Sequence, residues 1–234
     1  MKTKIVKPIA WVGVALIAVL SAPWQCQAQN TKATYPSMAS LDQYLMTDRN
    51  AEIALARSAA PEAISRDAKV LVLGQHGYET AVDGKNGFVC VVERAWMSPS
   101  SSAEFWNPKI RGPICYNPPG VRSVVPILYK RTEMALAGQS KAQIVAGTKA
   151  ALEKKELPAL EPGAMSYMMS KEAYLTDSDG HNMAHLMLYT PPMDAAAWGA
   201  DLAGSPVMFG AADPVNLFLV PVGKWSDGTA APFE

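Results

Sequence analysis

Apolar and polar positions along the chain change their period several times, and each change predicts an element. Ser40-Leu41-Asp42-Gln43 has the spacing of a capping box and predicts a helix start, since a serine hydroxyl and a glutamine three residues on cover two orphan N–H groups of a first turn. Asp48 predicts the cap of a second, alanine-rich helix from Arg49 to Ala60, and Pro61 suits the first turn of a short helix through Ile64. From Val70 the period becomes that of strands. Val70-Leu71-Val72-Leu73 is a short apolar run. Tyr78 to Val82 and Phe88 to Trp96 flank Asp83-Gly84-Lys85-Asn86-Gly87, an arrangement that predicts a β-hairpin. Phe88 to Val92 is apolar at both parities, the mark of a strand covered on both faces.

Met97 to Gly120 breaks this order with seven prolines or glycines and a serine cluster, and predicts one long loop anchored at its far end by Cys115. Phe105 and Trp106 stand in that loop beside Glu104 as an exposed pair. They are candidate ligand-binding residues, with a flap covering a sheet edge as the alternative. Val124 to Lys130 reads as a strand or as the start of a helix running through Leu136. Ser140 and Gln143 form a second capping box, followed by Ile144, Thr148, Ala151 and Leu152 at helical spacing. Strand-like stretches follow at Met165 to Met169, Ala173 to Thr176, His181 to Tyr189 and Asn216 to Val222. Asp177 to Gly180 reads as a turn, and a short helix is expected from Asp194 to Leu202. Helices gathered at the front and middle, with strands and turns between them, predict an α+β fold: one domain with a largely antiparallel sheet and helices packed on it.

Composition adds a compartment. Met1 to Lys7 carry three lysines and no acid, Ile9 to Leu20 are apolar or small, and Cys26-Gln27-Ala28 offers a small-x-small cleavage site, so residues 1–28 read as a secretory signal and 29–234 as the domain. The apolar stretch is shorter than the ~20 residues of a membrane helix, and no stable span is expected once the signal is removed. Without those three lysines, 18 basic residues face 21 acidic ones, and no basic cluster recruits nucleic acid. Cys90 and Cys115 are the two cysteines left after the signal. In an oxidising periplasmic or secreted setting they are expected to pair, a stabilisation of roughly 3.5 kcal/mol on the chain-entropy account.

Histidine chemistry is confined to His76, His181 and His185. If His181 to Leu188 is a strand, His181, Met183, His185 and Met187 share one face while Ala184, Leu186 and Leu188 take the other. Neighbours on that face lie ~7 Å apart and the two histidines ~13 Å apart. A shared ion would therefore be held by imidazole and thioether together, a donor set suited to Cu(I), with Met165, Met168 and Met169 as further sulfur donors from an adjacent strand. Copper is the alternative to no cofactor at all. Asp177 and Asp179 resemble the opening of a calcium loop, but no glutamate follows at its twelfth position, and they read as turn formers.

No nucleophile elbow, phosphate loop or dinucleotide fingerprint is present. His76, between Gly74 and Gly77 at a strand end, is a candidate acid/base residue with Glu79, and carries the hydrolase-like reading. Asn86-Gly87-Phe88-Val89-Cys90 through Arg94, Pro113-Ile114-Cys115-Tyr116 and His185-Leu186-Met187-Leu188-Tyr189-Thr190-Pro191 resemble blocks in a family of uncharacterised secreted bacterial proteins. That resemblance covers most of the chain after the signal. It implies export and a common fold, and carries no activity. The leading expectation is a non-enzymatic exported protein that binds a small molecule or a partner protein, followed by copper binding and then by an enzyme using His76.

Overall fold

Asp48 accepts hydrogen bonds from the backbone N–H groups of Asn50 and Ala51 and opens helix α1 (Arg49–Arg57) in a computed structural model that describes residues 34–177, 182–212 and 214–232. The candidate signal 1–28 and His181 lie outside the described residues. Ser40 and Gln43 do bond to one another, but the turn they open is a single 3₁₀ turn, Leu41–Gln43. A second short helix, α2 (Glu62–Ser65), follows Pro61.

Strands β1 (Lys69–Gly74) and β2 (Gly77–Val82) form a hairpin through Gln75-His76, with Gly77 at φ +118°, a conformation that needs glycine. β3 (Val89–Glu93) does not pair with β2. It lies parallel to β1 on the other side, so the expected hairpin at 83–87 is instead a crossover. Burial decides the difference. β1 is buried at four successive positions and fits an interior place, whereas Glu79 and Thr80 of β2 are exposed, as an edge strand permits. The crossover is tied down by Lys85 N–H to Asp67 O at 2.8 Å and by Asn86 Nδ2 to Ile64 O at 2.7 Å.

The long loop is shorter than the sequence suggests, because its end is a strand. β4 (Gly112–Tyr116) pairs antiparallel with β3 and is buried throughout. Pro113 hid it, since proline cannot donate to a ladder. The next strand, β5 (Met165–Met168), bonds β4 only at Cys115 and Tyr116, so Pro113 stays outside that ladder. Cys90 and Cys115 are direct cross-strand partners and form a buried disulfide, Cα to Cα 4.0 Å.

Asn117 caps α3 (Pro118–Ser123), which leads into α4 (Val125–Leu136), the helical alternative for that segment. The capping box at Ser140 and Gln143 is complete and starts α5 (Lys141–Glu153). β6 (His185–Thr190), β7 (Met208–Ala212) and β8 (Asn216–Pro221) finish a sheet of order β2-β1-β3-β4-β5-β6-β8-β7, antiparallel except for β1 with β3. The fold is α+β, with eight strands and five α-helices among the described residues.

Both sheet faces are covered. Val70, Cys90, Val92 and Cys115 pack against Leu55 and Ala56 of α1. At the other parity, Leu71, Val91, Ile114 and Tyr116 pack with Val125 and Leu128 of α4 and Ile144 of α5. Among the described residues no helix is long and apolar enough to cross a membrane.

Candidate functional site

Beside the first two turns of α4, which contribute Ile127 and Arg131, the helices leave a space unfilled on the second face. Segment 97–110 spans it as a roof and leaves a cavity of about 340 Å³ above β3 to β8. Phe105 and Trp106 hold that roof down. They are only 1 % and 3 % exposed and meet edge to face at 4.8 Å, and Tyr44 Oη donates to the Trp106 carbonyl at 2.8 Å. The expected exposure of this pair is therefore corrected. Two large apolar rings in a mobile-looking sequence found the core, because burying each removes 150–250 Å² from water. Met97, Ser98, Pro99, Ser102 and Ile110 of the same segment face the cavity instead.

Most of the cavity wall is apolar, including Ile127 of α4, Met168 of β5, Met187 of β6 and Leu217 and Leu219 of β8. Polar groups converge at one end. Tyr116 Oη donates a hydrogen bond to Glu93, and the Tyr116 and Tyr189 hydroxyls interact in turn. Tyr189 Oη lies 3.0 Å from Ser166 Oγ, completing a chain from β3 through β4 and β6 to β5. Arg131 of α4, 3 % exposed, reaches the Met97 carbonyl at 3.3 Å and sits 5.6 Å over the Phe105 ring.

Desolvation dominates the titration of these groups. It pushes the Glu93 carboxyl from 4.5 up to about 7, against the opposing pull of Tyr116 and the positive charge of Arg131. It also raises the Tyr116 and Tyr189 phenols. Glu93 lines the cavity, and Tyr116 is its hydrogen-bond donor among the described residues.

His185 lies three strands away on the same floor. It is 4 % exposed, and its Nδ1 lies 2.6 Å from the Met183 carbonyl, an oxygen that can only accept. Nδ1 therefore carries the proton and Nε2 keeps its lone pair. Burial lowers the pKa of this ring. The alternation expected for this segment is present from Ala184 onward, with His185, Met187 and Tyr189 on the cavity side and Ala184 and Leu186 in a separate cluster with Trp225. Met183 offers its carbonyl to His185, and its side chain is not part of the cavity lining.

The other candidates are not brought together with this site. His76 occupies the β1–β2 turn at the mouth of an open groove beside Lys130 and Glu133. Glu79 is paired with Arg49, and no hydrogen bond joins it to His76 among the described residues. Glu93, Tyr116, Arg131 and Tyr189 escaped the sequence reading, yet parity held a signal. Once Cys90 and Cys115 pair on one face, Glu93 and Tyr116 must point to the other.

Comparison of the chain with protein-family models, with curated proteins and with solved structures finds no match in any of the three.

Proposed function

We propose that this is an exported binding protein whose ligand is one small, largely apolar molecule carrying a hydrogen-bond donor such as an amine or hydroxyl. The observation that carries the reading is the Glu93 carboxyl, hydrogen-bonded by Tyr116 and lining a cavity whose wall is mostly apolar. Ligand pockets combine apolar walls with a few convergent polar groups, and 340 Å³ lies at the small end of their range. A cavity of about 150 Å³ accepts benzene, so this one suits a single ring or short chain with a polar head. The disulfide and the lysine-headed apolar run at the N-terminus support export.

Benzylamine and benzyl alcohol are suitable probes, with toluene and benzoate as comparators. At ten times its Kd a ligand stabilises the fold by ~1.4 kcal/mol, a rise in melting temperature of about 3–6 °C for a domain of this size. The donors should reach that shift at lower concentration than toluene, and benzoate should not. Benzylamine should bind more tightly as pH rises through about 7, because Glu93 then becomes its counter-charge. Glu93→Gln should abolish both the pH dependence and the preference for the amine. Absence of any shift, or an unchanged preference in that variant, rules the reading out.

A further inference from the structure

The opposite end of the cavity floor carries a second, chemically different constellation. β5 and β6 pair so that Met168 stands directly opposite His185, and Met187 follows two residues along β6 on the same face. Direct antiparallel partners hold their Cβ atoms ~5 Å apart, and same-face neighbours along a strand lie ~7 Å apart. One imidazole and two thioethers thus share a single patch of the cavity wall, each side chain more than nine-tenths buried. We propose that His185 Nε2 with the sulfurs of Met168 and Met187 forms a site for one Cu(I) ion.

Two features support this. The Met183 carbonyl fixes the proton on Nδ1, the second-shell bond that orients metal-ligating histidines, and Nε2 has no hydrogen-bond partner among the described residues. The donor set also selects the ion. Thioether sulfur favours soft Cu(I), Cys90 and Cys115 are spent in the disulfide, and among the described residues no group of three histidine, cysteine or acidic side chains could hold a harder ion. Of the expected ligands His185 and Met187 remain, Met168 is the expected further sulfur donor from the adjacent strand, Met183 is not part of the cavity lining, and His181 lies outside the described residues.

The site goes beyond the organic-ligand reading and does not depend on it, because Glu93 takes no part. The test is competition with bicinchoninate in ascorbate, which leaves the buried disulfide intact, using the full chain with Cys26→Ser so that its thiol adds no sulfur. Wild type should withdraw one Cu(I) per chain. His185→Gln should weaken uptake by about 100-fold or more, and Met168→Leu or Met187→Leu by at least about tenfold, while His76→Ala should not alter it. X-ray absorption of the loaded wild type should show sulfur and nitrogen neighbours together, a readout that needs no variant to fold. No stoichiometric uptake by the wild type, sulfur-free coordination, or wild-type uptake by folded His185→Gln and Met168→Leu would overturn the proposal.

Discussion

At the residue scale, Glu93 makes stability depend on pH with a definite sign. Below pH 4.5 the carboxyl is protonated whether the chain is folded or not, so nothing is lost there. Between 4.5 and about 7 the unfolded chain releases a proton that the fold retains, and stability falls as pH rises, by on the order of 3 kcal/mol in all. Urea titrations should show that decline in the wild type and a flatter profile in Glu93→Gln; identical slopes would mean that the carboxyl is solvated. The aromatic pair makes the opposite kind of prediction. Trp106→Ala or Phe105→Ala should each cost ~3–5 kcal/mol in the same titrations, because both rings are buried and leave cavities behind. Their setting among prolines and serines suggested a surface, since side-chain burial is decided by what the loop folds onto and not by its own composition. His185 and Met187 were legible because alternation alone places them on one face. Arg131 was not, because a helix period says little about which of its charges will face an unfilled space.

Elements were legible where their signals are local. The caps at Asp48 and Ser140 mark real helix starts, and the apolar run at Val89 to Val92 is an interior strand. Pairing is not local, and it was there that the hairpin expectation failed: β1, not β3, is the partner of β2. A turn-like string between two strands records only that the chain bends, and the crossover at 83–87 bends over the start of β1. Gly84 is what lets it pass. A Cβ there would stand 2.1 Å from the Lys69 backbone nitrogen and 2.8 Å from the Ala68 carbonyl carbon, neither of which can swing away. Gly84→Ala should therefore lower the melting temperature by several degrees through displacement of the crossover, whereas Gly138→Ala, whose Cβ meets nothing within 4 Å, carries only the strain of a positive φ. Differential scanning calorimetry separates the two, and equal losses would show that the close approach is not limiting.

At the scale of the whole molecule, the α+β class followed from the mixture of periods, while the strand order did not, because ladder partners such as β1 and β3 lie apart in sequence. The cavity is a product of that order. Its floor takes one to three side chains from each of several strands, so no contiguous segment carries it and no short motif announces it. Only the disulfide ties the two scales together. Cys90 and Cys115 face α1, on the side of the sheet away from the cavity. A slip of one residue between β3 and β4 would turn every side chain of the slipped strand to the wrong face, exchanging Glu93 or Tyr116 for an apolar neighbour. Oxidation of the pair is possible only in the correct alignment, since neighbouring alignments carry the two sulfurs to opposite sides. The cystine thus works as an assembly check: chains that have closed it already hold Glu93 and Tyr116 on the face away from α1.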